Sequence, residues 1–193
     1  SNNYKQQIIC SFDSLVHSIE SFSSTIGNNF TKQMAMLGCY YVLKGIKILK
    51  KNDLEGLSKI AEGSIYSIIS LLHSEQNITG ASSYQLALYY GHKHANCGAS
   101  FLHKSIELTS SKNSKFLREL LFYLKSKNII NRPTASDLVK LLKKIKKTYK
   151  ITDIKLNQKE IKFLVPKIKN MKMLDFSPFK YSKNDINYFL NNE

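Results

Sequence analysis

The sequence predicts an all-α protein, a bundle of about seven to nine helices, and three observations lead to that prediction. Apolar residues recur every three or four positions along almost all of the 193 residues, which is the spacing of a helix with one buried face. Only three prolines and eight glycines interrupt this pattern. Neither alternating apolar strands nor a glycine-rich phosphate-binding motif occurs, which excludes a doubly wound nucleotide-binding domain within this chain.

Two helices are expected in the first 51 residues. The first should begin at an N-cap, Ser11, and bury an apolar stripe that runs from Phe12 to Ile26. A glycine followed by two asparagines then ends it. The second helix should begin at the cap Thr31 and extend to residue 50 or 51.

A third helix is predicted from Asp53 onward, and a short turn makes it the antiparallel partner of the second. The helix should run through the apolar residues Ile60, Ile65, Ile68 and Leu72. Residues 77–83 are mostly Gly, Ser, Thr and Asn, and they are expected to form a loop.

The remainder of the chain predicts shorter helices. Residues 84–108 should form one or two buried helices, interrupted around residues 91–94. Four more helices are expected at 114–127, after the cap Thr134, at 158–169 and after the cap Ser182.

The chain carries a formal net charge of +15, from 29 Lys and Arg against 14 Asp and Glu. Nearly all of the excess follows residue 110, and only Arg118 and Arg132 are arginines. Proteins that read bases and phosphates favour arginine, because its planar guanidinium makes two parallel hydrogen bonds. We therefore interpret the charge as a solvated lysine-rich surface and expect no nucleic-acid partner. The alternative is a module whose basic run 143–147 binds an acidic partner or nucleic acid.

Cysteine usage and hydropathy indicate the compartment. Cys10, Cys39 and Cys97 form no C-x-x-C pair, so neither a disulfide framework nor a thiolate zinc site is expected. We interpret them as small core residues in a reducing compartment. No apolar run is long enough to span a membrane, and the first residues lack the apolar core of a signal peptide. A soluble, cytoplasmic protein without a membrane partner is the expectation.

Two groups of residues could carry chemistry. Asp13 and His17 are four positions apart, which places a carboxylate and an imidazole about 6 Å apart on one helical face and suits one divalent metal ion. The alternative is a helix-start acid with a surface or core histidine. Residues 91–99 contain His92 and His94 among small residues. Burying these histidines requires a bonding partner, and the alternative is an exposed turn.

The same stretches resemble a known family. Residues 12–22, FDSLVHSIESF, resemble the D-A-L-x-H-A-I-E-[AS]-[YF] segment that opens the helical C-terminal domain of the iron-containing (group III) alcohol dehydrogenases. This superfamily includes glycerol dehydrogenase and 3-dehydroquinate synthase. Residues 94–102 are similar to its H-G-x-A-x-A-x-x-L segment, residues 117–124 to its L-R-x-L-x-x-L-G helix, and residues 176–186 to its N-P-x-x-[ST]-x-x-D-[IV] ending.

The resemblance implies a dehydroquinate synthase-like α domain that occupies residues 1–193 and binds a metal. Asp13, His17 and His94 would be the ligands, with His92 as a substitute, and an Asp/His set suits Fe²⁺ or Zn²⁺. The metal would polarise the oxygen of a small-molecule alcohol or aldehyde for hydride transfer with NAD(P). An N-terminal nucleotide-binding domain, absent from this chain, would bind NAD(P), so the chain alone is not expected to be active.

Two departures from the family pattern concern the ligands. The family has a further histidine one helix before His94, in a G-x-x-H-A setting, and the matching stretch here offers Tyr84 or Gln85. The glycine after the ligand histidine is replaced by Ala95. Three ligands can still hold a metal, more weakly or in another geometry.

The sequence thus predicts one domain of an iron-type alcohol dehydrogenase-like oxidoreductase, for which a homodimer is one option. Two other interpretations stay open. One is a non-catalytic helical module or pseudoenzyme. The other is a dehydroquinate synthase-like cyclase domain, against which Asp13 argues because that branch prefers Glu at the first ligand position.

Overall fold

The computed structural model describes residues 4–49 and 53–191, and within them the chain is α-helical without a strand. The helices are α1 (Lys5–Ser23), α2 (Asn29–Ile48), α3 (Asp53–Leu72), α4 (Ile78–Tyr90), α5 (His94–Lys112), α6 (Arg118–Ser126), α7 (Ala135–Thr148), α8 (Gln158–Lys169) and α9 (Lys183–Leu190). Short 3-10 turns precede α6 and follow α8. The predicted all-α bundle is confirmed.

The first two helices begin earlier than predicted. Ser11 is not an N-cap: its hydroxyl donates to the carbonyl oxygen of Gln7 at 2.7 Å, inside a helix that starts at Lys5. The cap of α2 is Asn28, whose side chain accepts from the backbone N–H of Thr31, while the Thr31 hydroxyl accepts from that of Asn28. This reciprocal capping box satisfies two free donors at the helix start. The predicted end of α2 at residue 50 or 51 lies outside the described residues.

The predicted third helix is confirmed as α3. Of its apolar residues Ile60 is buried, whereas Ile65, Ile68 and Leu72 are exposed. Small residues form the buried face of α3 together with Ile60, namely Gly56, Gly63, Ser67 and Ser70. A Cβ atom at Gly63 would lie 2.6 Å from the backbone nitrogen of Val42 on α2. The two helices therefore meet at backbone contact, where larger side chains do not fit.

The predicted loop at residues 77–83 is wrong, because α4 begins at Ile78. The Glu20 carboxylate of α1 caps this helix and accepts hydrogen bonds from the backbone N–H groups of Asn77, Thr79 and Gly80, at 2.8, 2.7 and 3.2 Å. The negative charge also suits the positive end of the helix dipole. A side chain from another helix thus provides the N-cap, because the side chain of Asn77 makes no capping hydrogen bond.

The predicted caps of α7 and α9 are confirmed. Thr134 accepts a hydrogen bond from the backbone N–H of Asp137 at the start of α7, and Ser182 forms a capping box with Asp185 at the start of α9. The region 114–127 divides into a 3-10 turn and α6.

Buried apolar side chains form two clusters that meet at α5. The first contains residues of α1, α2, α6 and α7, with Leu102 and Ile106 of α5. The second contains residues of α4, α8 and α9, with Phe101 and Leu108 of α5. The helix α5 is consequently buried on both faces and packs against α1, α4, α7 and α9.

Two further sequence-based expectations concern cysteines and membranes. The three cysteines are free, as predicted, but Cys10 is exposed, whereas Cys39 and Cys97 lie in the core. None of the helices in the described ranges has both the length and the apolar character that a membrane span requires.

Candidate metal site between α1 and α5

The helices α1 and α5 bring together three side chains that could bind a metal ion. Asp13 and His17 lie one turn apart on α1, and His94 is the first residue of α5. The Nε2 atom of His17 lies 3.7 Å from Oδ2 of Asp13, and Nε2 of His94 lies 3.4 Å from Oδ1. One ligand atom from each residue lies within 4.8 Å of the other two. Among residues 4–49 and 53–191, this is the only such group of His, Cys, Asp and Glu side chains.

Two glycines allow α5 to reach α1. Gly91 has a φ of +67°, the left-handed conformation that glycine adopts readily, and its N–H closes α4 by donating to the carbonyl oxygen of Ala87. Gly98 faces α1, since a Cβ atom there would lie 3.1 Å from Cγ2 of Val16 and 3.6 Å from Cα of Asp13. Without a side chain at residue 98, α5 approaches the turn of α1 that carries the carboxylate.

The three side chains are partly shielded from solvent, with 13% of His17, 28% of Asp13 and 31% of His94 exposed. Burial lowers the pKa of His17; the Asp13 carboxylate opposes this effect, and His94 adds to it. The neutral imidazole is the form that binds metals. Oδ1 of Asp13 is buried and has no hydrogen bond. A buried carboxylate oxygen without a donor costs free energy, and a cation between the three side chains would remove that cost.

The structure distinguishes between the two residues that the sequence offered in place of a further histidine. The Tyr84 ring packs edge to face against the ring of His94, with centroids 5.2 Å apart. The Nε2 atom of Gln85 instead lies 3.0 Å from Sδ of Met171. Tyr84 is therefore the residue beside the group. His92 lies in the turn before α5 and is not part of the group of three.

The structural role of Glu20 was not recognised from the sequence. Glu20 holds the first turn of α4, the helix that carries Tyr84, and accepts a further hydrogen bond from the hydroxyl of Ser105 on α5 at 3.1 Å. It thus fixes α4 relative to the helices that supply the three candidate ligands. The available signal was a glutamate between the apolar positions Ile19 and Phe22, where a charge requires partners.

The chemistry of the donor set fits a divalent transition metal. Two imidazole nitrogens and one carboxylate oxygen on one side of an ion leave coordination positions open for an exogenous oxygen ligand, and this set suits Fe²⁺ and Zn²⁺. Tyr84, half of which is accessible, lies beside His94 at the edge of the group. The fold and the site together define an all-α domain with a candidate two-histidine, one-carboxylate metal centre.

Comparison with known proteins identifies the family of this domain. The model of the Fe-containing alcohol dehydrogenase family, C-terminal, matches residues 7–193. The chain belongs to this family and corresponds to its C-terminal domain. A search of curated proteins found no match.

Solved structures share the fold at low sequence identity. The iron-containing alcohol dehydrogenase from Thermococcus thioreducens is 19% identical with a TM-score of 0.80, covering 95% of this chain and 49% of that chain. The sulfoacetaldehyde reductase from Bifidobacterium kashiwanohense, solved in complex with NAD⁺, is 15% identical with a TM-score of 0.82, covering 98% and 51%. A 1,3-propanediol oxidoreductase is 13% identical with a TM-score of 0.80, covering 94% and 50%. The chain spans about half the length of these relatives.

Proposed function

We propose that this chain is the metal-binding domain of an NAD(P)-dependent alcohol dehydrogenase-like oxidoreductase, in which Asp13, His17 and His94 hold a divalent Fe or Zn ion. The observation that carries the proposal is the buried Oδ1 of Asp13, which has no hydrogen bond although an imidazole nitrogen lies 3.4 Å away. Membership of the Fe-containing alcohol dehydrogenase family supports it.

Each of the three residues has a distinct task in this proposal. Asp13 supplies the negative charge, and its two oxygens face the two histidines. His17 binds as the neutral imidazole that its lowered pKa favours. His94 provides the third ligand from the start of α5. The ligands therefore come from two packed helices that are distant in the sequence. A bound metal supplies Lewis acidity, which polarises the oxygen of an alcohol or carbonyl substrate.

Two observations support a substrate class and a location for the coenzyme, namely the surface beside the group and the length of the chain. Tyr84 and Leu88 lie one turn apart on α4, and both are exposed, so apolar surface borders the site where the carbon chain of a small alcohol or aldehyde would lie. We assign NAD(P) to a separate nucleotide-binding domain, since the solved relatives are about twice as long. The chain by itself is therefore expected to bind metal without catalysing hydride transfer.

Metal content tests the ligand assignment. After anaerobic loading with Fe²⁺ or with Zn²⁺ and removal of free ions, mass spectrometry should find close to one ion per chain. Asp13→Ala, His17→Ala and His94→Ala should each lose most of it. His92→Ala is the matched control, because His92 is two residues from His94 but outside the group, and it should keep the full content.

Two results would contradict the assignment. One is a metal content at background in the unsubstituted chain under both loading conditions. The other is loss of metal in His92→Ala with retention in His94→Ala, which would move the third ligand to His92.

A non-catalytic relative is the second candidate function, and Tyr84 favours it. Its ring occupies the side of His94, and a phenol is a weaker ligand for a divalent ion at neutral pH than an imidazole, because it must first lose its proton. A domain with three protein ligands could retain the fold and a weak metal site without the redox reaction.

A further inference from the structure

An open pocket lies where the end of α7 packs against the middle of α5. It has a volume of about 310 Å³ and is lined by His103, Lys143, Lys146, Lys147, Ile151 and Asp153. Three of these residues belong to the basic run 143–147 of the sequence. The fourth lysine of that run, Lys144, lines a different groove between α2 and α7. The basic run therefore divides between two sides of α7, and three of its lysines converge on one recess.

The imidazole of His103 lines this pocket and has no hydrogen-bond partner. Only 7% of the residue is exposed, and its Nδ1 atom is enclosed without a partner among the described residues. Burial and the charges of Lys146 and Lys143 lower the pKa of this imidazole to about 4, so at pH 7 the ring is neutral and has one N–H. Protein interiors avoid an N–H without an acceptor more strictly than an acceptor without a donor. The proton therefore belongs on Nε2, the nitrogen that can reach the pocket and find an acceptor there.

The carboxylates beside the pocket are already matched by lysines. Lys146, which is buried, forms an ion pair with Asp153. The ammonium group of Lys143 lies 3.2 Å from a carboxylate oxygen of Glu107. Lys147 is exposed and has no carboxylate partner in the part of the chain that the structure describes. Two carboxylates therefore balance two of the three lysines, and the pocket keeps an excess of positive charge that attracts anions.

We propose that this pocket binds the phosphate group of a small molecule, with His103 as a neutral hydrogen-bond donor and Lys147 as the charge that no carboxylate balances. A phosphate group has a charge of about −1.5 to −2 at pH 7 and three acceptor oxygens. It can therefore accept from the imidazole N–H and from lysine ammonium groups at the same time, and the charged donors make the stronger hydrogen bonds. A carboxylate has one charge and two oxygens, so it makes fewer of these contacts.

The shape of the pocket favours a small ligand over a nucleic acid. None of the described residues that line it is Phe, Tyr or Trp, whereas proteins that hold single strands stack the bases on such aromatic rings. The volume of about 310 Å³ lies at the lower end of the range of small-molecule sites. The ligand is therefore inorganic phosphate or a phosphate ester of a compact metabolite.

The phosphate pocket is separate from the candidate metal site. His103 follows His94 by nine residues on α5, which corresponds to about 13 Å along a helix. The helix α7, which supplies the three lysines, contributes none of the candidate metal ligands. Phosphate binding in this pocket therefore requires no metal, and the metal assignment can fail without affecting it.

Isothermal titration calorimetry tests the pocket in the chelator-treated chain, since a bound metal could itself take up phosphate. In HEPES buffer at pH 7 and constant ionic strength, inorganic phosphate should bind at one site with a dissociation constant on the order of 1 mM or lower. Lys147→Gln should weaken binding by about tenfold, because it removes a charge-assisted hydrogen bond.

Lys144→Gln is the matched control for this titration. It removes the same charge from the same helix, but Lys144 lines the other groove, so the affinity for phosphate should not change. The absence of saturable binding by the unsubstituted chain would overturn the proposal. An equal loss of affinity in Lys144→Gln and Lys147→Gln would also overturn it, because the anion would then respond only to the overall charge of the chain.

Long-range ¹H–¹⁵N spectra of the histidine side chains test the role of His103. Saturating phosphate should shift the Nε2 resonance of His103, assigned by comparison with His103→Gln, and should leave the exposed His73 unchanged. A His103 resonance that does not move, or equal shifts at His103 and His73, would overturn the proposal, because the anion would then bind elsewhere or without specificity.

Glycerol 3-phosphate distinguishes the two sources of the phosphate group in the same titrations. Tighter binding of this ester than of inorganic phosphate, with the same dependence on Lys147, assigns the pocket to a phosphorylated metabolite. Equal or weaker binding of the ester assigns it to the free ion. Binding of the ester that is insensitive to Lys147→Gln would contradict a shared phosphate site.

Discussion

Glu20 and Asp13 are two carboxylates on one helix whose hydrogen bonding differs. Glu20 is completely buried and accepts three backbone hydrogen bonds and one from a serine hydroxyl. Burial raises its pKa, and the hydrogen bonds oppose that shift. Asp13 keeps a buried oxygen without a donor. The complete set identifies Glu20 as a structural residue, and the incomplete set makes Asp13 the candidate ligand. The number of hydrogen-bond donors around each carboxylate depends on tertiary contacts.

A histidine in place of Tyr84 should strengthen metal binding. The Tyr84 ring contacts His94, so an imidazole at this position can raise the number of protein ligands from three to four. We expect the dissociation constant for Zn²⁺, measured by competition with a chromophoric chelator, to fall by about tenfold or more. Gln85→His is the control, because its side chain points toward Met171. An equal gain in both variants would show that residue 84 does not face the ion.

The buried His103 should make the fold less stable in acid. Burial and the positive charges of Lys146 and Lys143 lower its pKa from 6.5 to about 4, and Glu107 and Asp153 oppose that shift. The unfolded chain therefore takes up the proton first as the pH falls, so the free energy of unfolding declines between pH 6.5 and pH 4. Urea unfolding at pH 7 and pH 5 should show a decline on the order of 2 kcal/mol from this group.

The His103→Gln variant isolates that contribution, because glutamine does not titrate. Its decline between pH 7 and pH 5 should be smaller than that of the unsubstituted chain. The exposed His73 provides the control, and His73→Gln should retain the full decline. Equal slopes in the unsubstituted chain and His103→Gln would show that the buried imidazole does not govern the acid dependence.

At the scale of helices, α3 and α4 are the two elements whose environments differ most from the sequence-based expectation. The apolar period of α3 is helical, yet Ile65, Ile68 and Leu72 are exposed, because glycines and serines together with Ile60 form its buried face. The small residues at the start of α4 favour a loop by composition, yet they form a buried helix that Glu20 caps. In both cases the neighbouring helix, and not local propensity, determines the outcome.

Gly63→Ala should weaken the pairing of α2 and α3. The new methyl group would lie 2.6 Å from the backbone nitrogen of Val42 and 3.0 Å from the carbonyl oxygen of Gly38, and backbone atoms cannot move aside as a side chain can. We expect a loss of about 1–3 kcal/mol in the free energy of unfolding, measured with urea. Ser58→Ala on the outer face of α3 should change it by less than about 0.5 kcal/mol. Equal effects of the two variants would contradict backbone contact between the helices.

At the scale of the whole molecule, the candidate site links two parts of the chain that are far apart in sequence. Asp13 and His17 belong to the first helix and His94 to the fifth. The helix α5, buried by both apolar clusters, holds His94 where α1 can reach it. A metal bound here would act as a cross-link between the two helices and would stabilise the folded state over the unfolded one.

Metal loading should therefore raise the melting temperature. Free Zn²⁺ at a hundredfold excess over its dissociation constant contributes about 2.7 kcal/mol to the folded state, which corresponds to about 5–10 °C for a chain of this length. Differential scanning calorimetry with and without the ion measures the shift. Asp13→Ala should show little or none, and a shift of equal size in that variant would place the ion elsewhere.

Much of the architecture was predictable from sequence because it depends on residues that are close together in the chain. The all-α class follows from apolar spacing, and the starts of α7 and α9 follow from Thr134 and Ser182, whose side chains bond the next turn of their own helix. The pairing of Asp13 with His17 follows from their spacing on one helix. These features involve residues within one or two turns of each other, so neighbouring positions contain the necessary information.

The tertiary structure alone decided the features that join distant segments. It placed His94 beside Asp13, chose Tyr84 over Gln85 as the neighbour of the site, made Glu20 the cap of α4, and left three apolar residues of α3 exposed. The physical reason is common to these cases. Each depends on contact between helices that are distant in sequence. Where α1 meets α5 and where α2 meets α3, glycines allow the close approach, and their effect appears only when the facing helix is in place.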